Sequence, residues 1–194
     1  MKVVIFENNY HGSEASGKPS WYVTADSALS NTGKPFYLPE AEGDVTVWLG
    51  MAVKINRLGK YIMPKFAGRY FSEVAPAVCF QLTDLKHSLL QQGLLPSPAL
   101  SFDRAVMAAD FVPAQMPFEN LSLQLLKNAE PVAEWKAGSM VMSIADTIHE
   151  FSKTNTLKMG DLFLPSITGN IKIEEGDYLE VTDGKRPLFH VKVK

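Results

Sequence analysis

The sequence has little cysteine, no large excess of one charge and no long hydrophobic run. Its only cysteine, Cys79, excludes an internal disulfide and any zinc or iron–sulfur site built from cysteines. Nineteen Lys and Arg residues against 21 Asp and Glu residues give a formal net charge of −2, which makes nucleic acid and anionic membranes poor partners. No stretch reaches the roughly 18 apolar residues of a membrane span, and the N-terminus lacks the apolar core of a signal peptide. These absences predict a cytoplasmic protein.

The chain does have the composition of an ordinary globular protein. Hydrophobic residues make up 46% of it and charged residues 21%. A chain of 194 residues can bury a full core without disulfides or metals. No linker-like tract interrupts it, so we expect a single domain over residues 1–194. The 12 Pro and 13 Gly residues are spread along the chain and divide it into many short segments, as in β-rich proteins.

Hydrophobic alternation predicts the main strands. Large apolar residues occupy every second position from Val45 to Ile55, so they share one face of a strand and leave Trp48 and Gly50 on the other. A hairpin is predicted around the turn signal Asp183-Gly184. Its two strands are Tyr178–Thr182 and Leu188–Val193.

Two helices are predicted from capping signals. Thr83 or Asp84 is expected to cap a helix over residues 85–92, which Gly93 ends. Ser143 is expected to cap a second helix, whose apolar face carries Ile144, Ile148 and Phe151. Strands dominate this pattern, so the predicted class is a mixed, β-rich α+β fold with a few peripheral helices.

Candidate catalytic residues are few when the residues are read alone. The sequence has no serine-nucleophile elbow, phosphate-binding loop or dinucleotide fingerprint. His11 is the strongest candidate among the four histidines, because it lies in a polar loop after the first strand, where sites are commonly built. Cys79 lies in an apolar run and is predicted to be buried rather than nucleophilic. These residues alone identify no reaction.

The C-terminal third resembles the fumarylacetoacetate hydrolase family. Thr156-Leu157, Gly160-Asp161 and Gly176-Asp177 follow the order and spacing of that family's motifs. Other family-like elements occur in order along nearly the whole chain: Asn9-Tyr10, Tyr22 to Leu38-Pro39, Ser101-Phe102-Asp103 and Lys127-Asn128-Ala129-Glu130. The resemblance implies the family's fold, a mixed β-sandwich roll with a few peripheral helices. It also implies a homodimer.

The same resemblance implies that the family's metal site is lost. Family members hold a divalent cation with two glutamates and an aspartate, and the corresponding positions here are Trp48, Gly50 and Leu82. Hard cations need several oxygen ligands, and these side chains supply none. We therefore expect no bound metal and no other cofactor, with Trp48 facing Leu82 and filling the cavity with apolar contacts.

Two functional interpretations remain open. The first is an enzyme related to hydrolases, isomerases and decarboxylases of 2-oxo or β-diketo acids, which would take a small acid of that kind as its ligand. Its candidate catalytic residues are His11, Glu14, Lys86 and Asp103. Lys86 stands where the family has an arginine, and it is expected to bind a substrate carboxylate as a point charge. The further pocket positions implied by the family are Tyr10, Thr24, Leu100 and Ile167.

The second interpretation is a family member without catalytic turnover. Such a protein would bind a ligand or a partner, or would serve as a structural subunit. The loss of the three ligand positions Trp48, Gly50 and Leu82 favours this second interpretation on chemical grounds, whereas the family resemblance favours the first.

Overall fold

The computed structural model of the chain describes residues 1–11, 17–31, 33–40, 43–114 and 120–194. Within these ranges it contains thirteen strands and four α-helices. The strands are β1 Lys2–Glu7, β2 Ser20–Ala25, β3 Leu29–Asn31, β4 Val45–Ile55, β5 Phe71–Leu82, β6 Val106–Ala108, β7 Val112–Pro113, β8 Ser122–Lys127, β9 Glu130–Lys136, β10 Leu162–Leu164, β11 Ile167–Ile173, β12 Tyr178–Thr182 and β13 Pro187–Lys192. The helices are α1 Pro64–Ala67, α2 Thr83–Gln91, α3 Ser97–Leu100 and α4 Ile144–Ser152. The β-rich α+β class is confirmed.

The strands form two sheets. The larger has nine strands in the order β2-β1-β10-β4-β5-β6-β3, with β11 also paired to β4 and β7 to β5. The smaller has the order β13-β12-β8-β9. The larger sheet is mixed, because β1 pairs with β10 in parallel while β4 and β5 form a long antiparallel ribbon. The hairpin predicted around Asp183-Gly184 is formed by β12 and β13.

The strand predicted over residues 45–55 has the bounds of β4, and its alternation is as expected. The large apolar residues of β4 pack with the smaller sheet in the main core. Phe80 of β5 lies in the same core and stacks on Phe36, with ring centroids 3.7 Å apart. Trp135 of β9 is fully buried there and donates its indole N–H to the Ser166 hydroxyl at 2.7 Å. Apolar packing between the two sheets therefore holds the β4–β5 ribbon in place.

The opposite face of the β4–β5 ribbon carries smaller side chains. A second apolar cluster contains Ala52, Ala75, Ala77 and Cys79 from the ribbon, with Ile167 beside them. Cys79 is buried as predicted, and desolvation, together with the charge of Glu7, raises the pKa of its thiol. Trp48 and Tyr22 pack against this cluster.

The two predicted helices are present, but the predicted cap of one of them, α2, is wrong. α4 follows Ser143, whose hydroxyl accepts from the backbone N–H of Asp146 in a capping box. α2 begins at Thr83, so neither Thr83 nor Asp84 caps it. The Thr83 hydroxyl bonds that of Thr46 at 2.7 Å instead, and the Asp84 carboxylate accepts from the Asp44 backbone N–H at 2.8 Å. In the part of the chain that the structure describes, no helix is long and apolar enough to cross a membrane.

Candidate functional site

Three strand ends meet at one edge of the larger sheet. β1 and β5 run in the same direction, so both bring their carboxyl ends to this edge, and the antiparallel β4 begins there. Glu7 is the last residue of β1, and Gln81 lies next to the end of β5. Thr46 pairs with Gln81 across the ribbon. Polar side chains from strands distant in sequence are thereby brought together.

Lys86 of α2 is the centre of this polar group. Its ammonium donates to the Glu7 carboxylate at 2.7 Å and to the Gln81 amide oxygen at 3.1 Å. The Gln81 amide nitrogen in turn donates to the same Glu7 oxygen at 2.8 Å. The side chains of Lys86 and Glu7 are 18% and 19% exposed, so the pair is shielded from most of the solvent without being fully buried. We call Glu7, Gln81 and Lys86 the lysine cluster.

A second set of side chains continues the polar surface along β4. The indole N–H of Trp48 donates to the Thr46 hydroxyl at 3.1 Å. Tyr22 of β2 packs on the same face as Trp48. Desolvation by burial raises the pKa of the Tyr22 phenol well above its usual value; the charges of Cys79 and Glu7 add to this, and a hydrogen bond with Gln81 opposes it. The phenol is therefore neutral at physiological pH.

The lysine cluster does not fit a divalent cation of the kind held by members of the family that the sequence resembles. Its oxygen donors are one carboxylate and one amide, and the Lys86 ammonium lies within 3.1 Å of both. Mg²⁺, Mn²⁺ and Ca²⁺ need several oxygen ligands with negative charge among them. Among the described residues, no group of three or more His, Cys, Asp or Glu side chains is arranged to hold a metal ion.

Four of the predicted pocket positions lie on or beside the face of the larger sheet that carries Trp48 and Gln81. Trp48 contacts Thr46, as described. The Thr24 hydroxyl bonds the hydroxyl of Ser101, the residue after Leu100, at 2.6 Å. Ile167 pairs with Gly50. A Cβ on Gly50 would lie 2.7 Å from the backbone oxygen of Ser166, so this position has no room for a side chain.

The expected contact between Leu82 and Trp48 is wrong. Successive residues of a strand point to opposite faces, and Leu82 packs in the main core with Val45 and Val47, whereas Trp48 packs against the second cluster. Gln81, one residue earlier, lies on the face of Trp48 and bonds Glu7 and Lys86. Leu100 is buried at the end of α3.

Of the predicted catalytic residues, Lys86 lies in the cluster and two others lie elsewhere. His11 is exposed, and its backbone N–H donates to the Ser139 carbonyl at 2.8 Å. Asp103 is exposed in the turn after α3. Glu14 lies outside the described residues.

Tyr10 is held by β9 rather than by the lysine cluster. Its hydroxyl accepts from the Lys136 backbone N–H at 2.9 Å and donates to the Glu134 carbonyl at 3.2 Å. The hydroxyl therefore has both a donor and an acceptor away from Lys86.

Sequence reasoning missed Glu7, Tyr22, Thr46 and Gln81. Glu7 stands 74 and 79 residues before its partners Gln81 and Lys86, and no local pattern marks such a contact. The alternation of β4 and β5 does carry a usable signal for Thr46 and Gln81. It places Thr46 on the face of Trp48, and it places Gln81 rather than Leu82 on that face.

Comparisons with known proteins agree with this architecture. A family model described as fumarylacetoacetate (FAA) hydrolase C-terminal matches residues 5–183. Oxaloacetate tautomerase YcgM of Escherichia coli (strain K12) is 25% identical over 191 residues, covering 93% of this chain and 87% of the relative. The mitochondrial oxaloacetate tautomerase FAHD1 of Bos taurus is 25% identical over 185 residues, covering 94% and 83%.

A solved structure gives the same result for the fold. Fumarylpyruvate hydrolase from Pseudomonas aeruginosa, crystallised in complex with Mn²⁺ and pyruvate, superposes with a TM-score of 0.91 at 19% identity. The superposition covers 100% of this chain and 89% of that protein. The family match over residues 5–183 and the shared fold lead to one conclusion: the chain belongs to the fumarylacetoacetate hydrolase family.

Proposed function

We propose that this protein is an enzyme that interconverts the keto and enol forms of a small 2-oxo acid at the lysine cluster. The observation that carries the proposal is the Lys86 ammonium held 2.7 Å from the Glu7 carboxylate at the meeting point of three strand ends. Two relatives, each about a quarter identical over nearly the whole chain, are oxaloacetate tautomerases, which supports this class of substrate and reaction.

Lys86 is suited to hold the acid. An ammonium has three N–H donors, and the two contacts to Glu7 and Gln81 leave the third for a ligand. The carbonyl oxygen of a 2-oxo acid and one oxygen of its adjacent carboxylate can share this donor on one side of the molecule. Partial burial strengthens the attraction, because the surroundings screen the charges less than bulk water does.

Glu7 and Lys86 together supply the base and acid that tautomerisation needs. The Glu7 carboxylate takes a proton from the carbon next to the carbonyl, and the electron pair of that C–H bond moves to form the enolate. The Lys86 ammonium stabilises the enolate oxygen and then gives it a proton, which yields the enol. The proton on Glu7 then passes to the neutral amine of Lys86 across their 2.7 Å contact, so both groups return to their starting forms.

Proton exchange at carbon tests this proposal directly. Enolisation of oxaloacetate or pyruvate in deuterium oxide replaces the C3 protons, which proton NMR follows. We expect the protein to accelerate exchange above the buffer rate, and Lys86→Met and Glu7→Gln each to lower that acceleration at least 100-fold, a typical contribution of acid–base groups. Lys54→Met is the matched control, because Lys54 of β4 pairs with Glu73 at 3.0 Å away from the cluster.

Two results would contradict the proposal. One is wild-type protein that does not accelerate exchange of either acid. The other is full activity in Lys86→Met and Glu7→Gln variants whose circular dichroism matches the wild type. Binding of a 2-oxo acid without accelerated exchange would instead support the non-catalytic interpretation.

A further inference from the structure

We infer that the Lys86 ammonium replaces the divalent cation at this site, so that the protein binds a 2-oxo acid without any metal ion. This inference rests on the proposed function for its ligand, but the metal part of it is tested independently.

The Lys86 ammonium already contacts the oxygens that a metal ion would need. Lys86 Nζ lies 2.7 Å from a Glu7 oxygen and 3.1 Å from the Gln81 amide oxygen. These are the oxygens of the cluster best suited to bind a metal ion. A metal ion bound by these two oxygens would have to displace the ammonium. The two cations would otherwise stand within a few ångströms of each other in a partly buried site, where repulsion is strong.

The fold holds Lys86 in place. α2 follows β5 directly, and the Thr83 backbone N–H donates to the Asp44 carbonyl at 2.9 Å. The Thr83 hydroxyl bonds Thr46 at 2.7 Å, which fixes the start of the helix against β4. Lys86 therefore extends from an anchored first turn toward Glu7, and its side chain is 18% exposed.

The charges of the lysine cluster balance without a metal ion. Glu7 and Lys86 neutralise each other, and Gln81, Thr46 and Trp48 are uncharged. A dication is favoured where several carboxylates leave an excess of negative charge. The cluster has no such excess, whereas its ammonium retains a donor for an anionic ligand.

Ligand titration with pyruvate is the first part of the test. Isothermal titration calorimetry of the full chain is run in EDTA and again with millimolar Mn²⁺. We expect the dissociation constant for pyruvate to agree within twofold between the two conditions, and to rise at least tenfold in Lys86→Met but not in Lys54→Met. Binding that requires Mn²⁺ would overturn the inference.

Metal titration in the absence of pyruvate is the second part. Electron paramagnetic resonance measures free Mn²⁺ as protein is added. We expect wild-type protein to leave millimolar Mn²⁺ free, and Lys86→Glu to bind Mn²⁺ at least tenfold more tightly, because it places a second carboxylate beside Glu7. Stoichiometric Mn²⁺ binding by the wild type that Glu7→Gln abolishes would overturn the inference, and so would equal affinity in the wild type and Lys86→Glu.

The two parts separate the inference from the proposed function. Failure of pyruvate to bind under either condition would count against a 2-oxo acid ligand, and thus against the proposed function. The Mn²⁺ titration would still decide whether Lys86 excludes a metal ion.

Discussion

The two faces of the β4–β5 ribbon are built from alternate residues of the same strands, yet one face packs in an apolar core and the other carries polar contacts. On one face, Phe80 stacks on Phe36 in a core that is closed by the smaller sheet. On the other face, the next residue, Gln81, bonds Glu7 and Lys86 near the end of the strand. Phe80, which packs in the apolar core, and Gln81, which bonds the polar cluster, are adjacent residues of the same strand.

This contrast shows where apolar residues and where polar residues can be placed without loss of stability. The apolar face is closed along its length, so each side chain there contributes by burial and shape. The polar face lies at a strand end, where Lys86 from the following helix can reach Glu7 from another strand. The side-chain N and O atoms that are buried there all have hydrogen-bond partners in the described part of the chain. A polar cluster at the edge of a sheet therefore does not disturb the core behind it.

Truncation on the apolar face should give the largest effect. Phe80→Ala removes a fully buried ring stacked 3.7 Å from Phe36, and we expect the free energy of unfolding to fall by about 3–5 kcal/mol. Urea denaturation followed by circular dichroism measures this loss. Phe66→Ala is the control on an exposed phenylalanine, 40% accessible on α1, and should lose much less. Equal losses of unfolding free energy in the two variants would contradict the expected difference between a ring buried on the apolar face and a ring exposed at the surface.

Substitution of the neighbouring residue on the polar face should have a smaller effect on stability. Gln81→Leu keeps the size of the side chain but removes its bonds to the charged Glu7 and Lys86. Hydrogen bonds to charged groups contribute about 1.5–3 kcal/mol, so we expect a loss in that range by the same denaturation assay. Gln92→Leu is the matched control, because Gln92 is exposed and its side-chain amide donates to the Ser88 hydroxyl, which carries no charge. A loss as large in Gln92→Leu would show that the cluster contributes no particular stability.

Removal of a neutral donor further along the polar face should have a still smaller effect. Trp48→Phe keeps an aromatic ring but deletes the indole N–H that donates to Thr46 at 3.1 Å. We expect a loss of about 1 kcal/mol, the usual net value of a neutral hydrogen bond. Trp21→Phe serves as the control, since Trp21 is 36% exposed and contacts Phe151 through its ring. A larger loss in Trp21→Phe would reverse the expected order.

Local signals in the sequence predicted much of the fold. The alternation over residues 45–55 gave a strand with the observed bounds of β4, and Ser143 caps α4 as its sequence context indicates. The cap of α2 was wrong because Thr83 and Asp84 bond residues 37 and 40 positions away instead of their own helix. Local patterns cannot register a competing partner that the tertiary fold supplies.

The site was harder to predict for the same reason. Motif spacing assigned a ligand position to Leu82, which packs in the main core, whereas the adjacent Gln81 bonds Glu7 and Lys86. A shift of one residue along a strand reverses the face on which a side chain lies, and motif spacing does not register the face. Glu7 carried no local signal, since its role depends on strands paired across most of the chain.

The smallest effect at neutral pH, and a distinct one at alkaline pH, is expected at Tyr22. Desolvation raises the pKa of its phenol, so above about pH 10 the unfolded chain loses this proton while the folded chain keeps it. The unfolded state then binds fewer protons, and the free energy of unfolding falls as pH rises, by about 1.4 kcal/mol per pH unit for one group. Tyr22→Phe removes this contribution. We expect its stability curve to be flatter than the wild-type curve above pH 10, with a difference of at most about 1 kcal/mol near pH 8.

The matched control for this pH dependence is Tyr61→Phe, because Tyr61 is 68% exposed. Urea denaturation at several pH values between 8 and 11 gives the three stability curves. The raised pKa of the Cys79 thiol adds its own fall with pH, but Cys79 is present in all three chains and its contribution cancels in their differences. We expect the Tyr61→Phe curve to run parallel to the wild type. A Tyr22→Phe curve that is also parallel would show that water reaches the phenol freely, and that the polar face beside Glu7 is more open than the shielded lysine cluster implies.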